Sequence, residues 1–103
     1  MPRRFILLLF LLPALAHAAE PPRPAKLGQC VACHGQDGRS RLAGVPHLAG
    51  QDEKYLVAAL VAYRTGARRV APMNSVANTL QPRDIAALAR WFSRQAPASS
   101  PHP

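Results

Sequence analysis

Thiols are scarce in this chain. Two cysteines in 103 residues are too few for a four-thiolate zinc centre or a multi-bridge disulfide framework. Strand signals are missing as well. No stretch alternates apolar and polar residues as a half-buried strand does, and no segment repeats, so sandwiches, barrels and solenoids find no support. No apolar run approaches the roughly 20 residues that a membrane-spanning helix needs. Carboxylates are few, five Asp and Glu against 13 Lys and Arg, for a formal net charge of +8. A surface this basic either stays solvated or meets acidic protein partners or an anionic surface.

What is present begins with a leader. Arg3 and Arg4 precede an apolar run over 5–12, followed by Pro13 and the small-residue sequence ALAHA. That order of charged, apolar and small residues is the pattern of a secretory signal peptide over 1–18, with cleavage after Ala18; sites after Ala16 and Ala19 also fit. Export to the periplasm argues against a nucleic-acid partner. The remaining chain, about 85 residues carrying about +6, makes one domain. It buries too little surface to be secure without a staple, a metal or a cofactor.

Three prolines in AEPPRPA make 19–24 an extended leader. Residues 25–33 permit a short helix without a strong apolar stripe. Residues 35–50 carry four glycines and one proline, an irregular connection of the kind that wraps something. Over 51–66 the signals agree on a helix: Asp52 and Glu53 at its start, Leu56, Ala59, Leu60 and Tyr63 on one stripe, Gly66 at its end. Residues 67–79 show no sustained period and read as loop, with Pro72 disfavouring helix at Ala71. A last helix starts near Pro82, with Asp84 in its first turn and Leu80 placed to pack back on Ile85. Its apolar face is Ile85, Leu88, Ala89 and Phe92, with Trp91 alongside. The domain spans 25–96, and 97–103 is expected to be a flexible tail. The fold class is all-α, three or four short helices joined by long loops.

Both thiols fall in GQCVACHGQDG, as Cys30 and Cys33, with His34 directly after. A structural zinc site would need four ligands at tetrahedral spacing, and only His47 and His102, the latter in the tail, remain as additional imidazoles beyond the leader. A redox dithiol would want a βαβ setting, and a bridge across two residues would close a loop too short to stabilise much. Covalent haem attachment fits best: two thioethers from Cys30 and Cys33, with His34 offered to the iron. A large flat apolar cofactor would also supply the missing core. The sixth iron position is open between Met73, on a proline-containing loop, and His47, which stands only 13 residues beyond His34 and reads more simply as a loop histidine. Met73 could instead fill a core gap.

CVACHG at 30–35, VPHLAGQDEKYLVAAL at 45–60, YRTGARR at 63–69, APMNSVANTL at 71–80 and DIAALARWF at 84–92 together resemble the class I c-type cytochromes. The likeness is to the small soluble bacterial branch, including single domains of two-haem periplasmic members. It covers about residues 25–96, with the motifs in the family's order. The resemblance implies a cytochrome c fold around one covalently attached haem c and its iron, with Cys30 and Cys33 in the thioethers. His34 would then be the proximal ligand and Met73 the distal one. It also implies that the Pro46 carbonyl accepts the ring proton of His34, and that the last helix crosses the first.

The function expected on these grounds is one-electron transfer in the periplasm, not catalysis, between respiratory or dehydrogenase partners. Lys26, Arg39, Arg41, Arg68 and Arg69 would form a basic rim that steers acidic docking surfaces. Arg68 and Arg69, near Met73 in sequence, are candidates to pair with the haem carboxylates or to remain solvated. The competing expectations are a subunit of a larger oxidoreductase complex, and a ligand-binding or peroxidase-type haem protein with a labile sixth position.

Overall fold

A computed structural model describes residues 1–14 and 20–100. The expected cleavage sites after Ala16, Ala18 and Ala19 adjoin or lie within 15–19, outside the described residues, as does the end of the tail, 101–103. Among the described residues there are four helices and no strand, and no helix is long and apolar enough to cross a membrane.

Helix α1, Gly28–His34, is shorter at its start than the 25–33 span expected. Residues 25–27 form turns instead, closed by Leu27 N–H donating to the Pro24 carbonyl at 3.2 Å. Helix α2, Glu53–Thr65, has the ends that its sequence announces. The Asp52 carboxylate accepts from the Tyr55 N–H at 2.9 Å, and Gly66 closes the helix in the left-handed region, which a side chain would disfavour.

Helix α3, Met73–Asn78, occupies a segment expected to be loop. Its six residues make fewer than two turns, too short for a repeating stripe to show against the background. Pro72 precedes the helix as its N-cap and so costs it no interior hydrogen bond. Helix α4, Pro82–Ser93, starts as expected, with Asp84 Oδ2 accepting from the Gln81 N–H at 2.8 Å.

The core is one cluster: Leu27, Leu56, Leu80, Ile85, Leu88, Ala89 and Phe92. Leu80 and Ile85, 1% and 2% exposed, are both buried in this cluster on either side of the start of α4. Among the helix pairs, α2 packs chiefly on α3 and α4. Leu27, the N-cap of α1, belongs to the cluster, and Cys30 and Val31 of α1 pack against it.

The glycine-rich connection over 35–50 folds back on itself and onto α4. The Gly38 carbonyl accepts from Leu48 and Ala49 at 2.7 and 3.1 Å, and the Gly50 N–H donates to the Phe92 carbonyl at 2.9 Å. Gly38, at φ +82°, lies so close to Phe92 that a Cβ would stand 2.7 Å from the ring. Beyond α4 the chain turns back, and Pro97 packs over Gly50.

Candidate functional site

The four helices and the 44–51 loop surround a cavity of about 270 Å³. Helix α1 contributes Cys30, Cys33 and His34; α3 contributes Met73 and Val76; α2 and α4 supply an apolar wall that includes Leu56, Leu60, Leu88 and Phe92. Several of these wall residues also belong to the core cluster. The hydrophobic interior is therefore split by a space rather than closed around itself.

His34 is buried, 7% exposed, with Nδ1 at 2.9 Å from the Pro46 carbonyl oxygen. A carbonyl can only accept, so Nδ1 carries the proton and Nε2 of the neutral ring keeps a free lone pair. Burial pushes the His34 pKa below its ordinary value, partly opposed by the Pro46 hydrogen bond. Burial outweighs that bond and leaves the imidazole neutral, while the Pro46 carbonyl fixes its orientation, the state a metal requires of it. Cys30 and Cys33 are free thiols, one half-buried and one exposed. Burial pushes the Cys30 thiol up to about 11, so at neutral pH it is protonated.

Sequence reasoning overlooked Ser40. Its hydroxyl, buried in the glycine-rich loop, donates to the Cys33 carbonyl at 3.1 Å, and its N–H donates to His47 Nδ1 at 2.9 Å. The loop is thereby fastened to the CxxCH turn. A lone serine among glycines carries no sequence signal for this. His47 also lines the cavity, but with Nδ1 engaged by Ser40 it serves the loop's own hydrogen bonding.

The two candidate arginines part company. Arg68 lines the cavity, its guanidinium 4.7 Å from the Tyr63 ring centroid, a cation–π distance. Arg69 lines a separate surface depression together with Arg64, Asn74 and Asn78. The structure thus brings Cys30, Cys33, His34, Pro46, Met73 and Arg68 to one cavity and leaves Arg69 beside it.

The residues fit a haem on the cavity's own terms. Two unpaired thiols and an oriented neutral imidazole sit on one turn, facing a space whose wall is largely aliphatic and aromatic. A flat apolar cofactor would close the divided core. A helical shell with CxxCH on its cavity wall defines a covalent haem-binding protein of the class I c type. Residues 25–95 match the sequence model of the family described as Cytochrome c, and the chain belongs to that family. Haem c with its iron, covalently attached, is the family's cofactor and this chain's.

Among relatives, cytochrome c-554(548) of Halomonas halodenitrificans is 42% identical over 73 residues, covering 68% of this chain and 88% of that protein. The thiosulfate dehydrogenase electron acceptor of Thiomonas intermedia is 40% identical over 87 residues, 84% of this chain and 39% of the relative. Cytochrome c4 of Pseudomonas aeruginosa is 39% identical over 92 residues, 87% of this chain and 46% of the relative. The chain therefore spans less than half the length of the last two. The solved structure of cytochrome c4 from Acidithiobacillus ferrooxidans superposes with a TM-score of 0.60 at 31% identity, covering 62% of this chain and 37% of that one. The all-α cytochrome c fold, the class and the cofactor expected from sequence are borne out.

Proposed function

We propose that the chain is a periplasmic one-electron carrier and not an enzyme, with its haem held by thioethers from Cys30 and Cys33 and ligated by His34 and Met73. The observation that carries this reading is the shared cavity: an oriented, neutral His34 on α1 and the sulfur-bearing Met73 on α3 line the same apolar space.

When bound, the haem supplies a one-electron ferric–ferrous couple, whose potential a thioether ligand raises. The chain's own residues do the rest. Pro46 holds the His34 ring so that Nε2 is the free nitrogen. Leu56, Leu60, Leu88 and Phe92 exclude water, which disfavours the more highly charged state and raises the potential further. His47 is held by Ser40 and is passed over as a ligand in favour of Met73. Arg68, stacked on Tyr63, is positioned to meet a haem carboxylate, whereas Arg69 is left for the outer surface.

The partners are redox proteins with acidic docking faces, drawn by a net positive surface whose described ion pairs amount to Arg39 with Asp37. That one relative bears the name of an acceptor for thiosulfate dehydrogenase supports a dehydrogenase as the donor class.

The test is an absorption spectrum of the exported, haem-loaded protein in both redox states. A c-type spectrum with the weak sulfur-to-ferric-iron band, unchanged by carbon monoxide on the reduced protein, is expected. Loss of the band in Met73→Ala assigns the sulfur. Covalent haem without the band, shifting on carbon monoxide, would move the reading to ligand chemistry.

A further inference from the structure

Met73 is the first residue of a six-residue helix whose N-cap, Pro72, offers no capping side chain. A helix this short is not stable by itself, and its first turn is where fraying starts. Something outside α3 must hold Met73 against the cavity. The residue next to it makes the connections.

Asn74 places its side-chain amide at the meeting of three segments. Nδ2 donates to the Tyr63 carbonyl at 2.8 Å and to the Arg68 carbonyl at 2.7 Å. Oδ1 accepts from the Val70 N–H at 2.9 Å. Both donor hydrogens and the acceptor are therefore used. The Tyr63 carbonyl lies in the last turn of α2, where carbonyls lack partners within the helix. The neighbouring Ala62 carbonyl accepts from the Arg68 N–H at 3.0 Å. Asn74 thus caps α2, closes the 66–70 turn and anchors the start of α3 in one side chain. Adjacent Cα atoms are about 3.8 Å apart, so fixing Asn74 fixes the backbone from which Met73 reaches the cavity.

We propose that Asn74 is the positioning residue for Met73, a clamp that keeps the methionine sulfur at the iron by tying α3 to the end of α2. The proposal rests on Met73 being the distal ligand. In this arrangement the retention of the sulfur depends on three polar contacts that do not touch the cofactor. Breaking them frees Met73 at its own helix terminus while the α1 side of the site, with His34 and Pro46, stays as it is. The sixth position then opens without global unfolding.

The experiment compares haem-loaded wild type, Asn74→Leu and Asn74→Asp. Leucine keeps the approximate shape and removes all three bonds; aspartate sets an acceptor against the two carbonyls. Asp84→Ala serves as the control, since it removes a cap from α4 and lowers stability without touching the 63–74 network. Both Asn74 variants are expected to weaken the sulfur-to-ferric-iron band, to lower the potential, and to raise the carbon-monoxide-accessible fraction of reduced protein at least about tenfold. Asp84→Ala should leave all three readouts at wild-type values. Undiminished band and carbon monoxide exclusion in both variants would overturn the clamp while leaving Met73 as ligand. Absence of the band in wild type would overturn the ligand assignment itself.

Hydrogen exchange on unmodified holoprotein gives a second test if the variants fail to accumulate. The Val70 amide should be protected for as long as the band persists on warming, and the two should be lost together, below the unfolding transition. A Val70 amide that exchanges freely while the band is intact would overturn the proposal.

Discussion

Gly38 illustrates what a single residue decides. It combines a positive φ with a wall: a Cβ there would stand 2.7 Å from Phe92 Cδ1 and 2.9 Å from the Ala49 nitrogen. Gly44 has a similar φ of +79° and nothing within 4 Å of such an atom. Gly38→Ala is expected to cost about 2–4 kcal/mol, backbone strain plus overpacking, and Gly44→Ala only about 1 kcal/mol from strain. Denaturant midpoints of the two variants would check the difference. Asp37 gives a smaller, pH-dependent case. Its bond with Arg39 holds the carboxyl below its ordinary value of 3.8. A depressed folded value means that the contribution is present above the unfolded value and lost as pH falls through the folded one. The acid limb of stability should therefore begin near pH 3.8 and be shallower in Asp37→Asn, by a small amount because the pair is exposed. The CxxCH residues were readable in sequence because their chemistry lies in their spacing. Ser40 and Asn74 were not, because their partners, at Cys33, His47, Tyr63, Arg68 and Val70, become neighbours only once the loops close.

At the scale of the element, legibility followed length and ends. Helix α2 announces itself with Asp52, a stripe and Gly66, and α4 with Pro82, Asp84 and a stripe opposite its arginines. Helix α3 has neither a capping side chain nor enough turns to repeat, and its form depends on tertiary hydrogen bonds that no local pattern encodes. Helix α1 begins three residues later than its sequence suggests, because helix ends are the least sharply encoded part of an element and the turns over 25–27 run directly into it. Asp84→Ala should destabilise α4 by about 1 kcal/mol, seen as a lower thermal midpoint with an unchanged visible spectrum. Leu88→Ala acts differently. It removes a residue that is both core and cavity wall, so about 2–4 kcal/mol of stability and a displaced reduction potential should be lost and gained in the same variant.

For the whole molecule, the sequence foretold that something beyond the chain completes the fold, and the divided core shows where. Expressed without a haem-attachment system, the chain should show no cooperative thermal transition; a sharp transition with native-like helix content by circular dichroism would contradict that account. The net charge belongs to this scale as well. Exchange with an acidic partner should slow as ionic strength rises from about 0.01 to 0.15 M, measured as a second-order rate by stopped flow. Composition told the sign of that field. The cavity's shape and the split between Arg68 and Arg69 were out of reach, since both depend on how α2 meets α3.

The shared wall of core and cavity also constrains how such a molecule can change over generations. Leu56, Leu80, Leu88, Ala89 and Phe92 both hold the fold together and line the cavity. A lineage moving to a hotter habitat cannot tighten this interior one methylene at a time without reshaping the cavity and, on the proposed function, retuning the potential at which electrons are exchanged. Adaptation to heat and adaptation to a new redox partner draw on the same few positions. The freer route to heat tolerance runs through the periphery, at helix caps, loop glycines and surface charge.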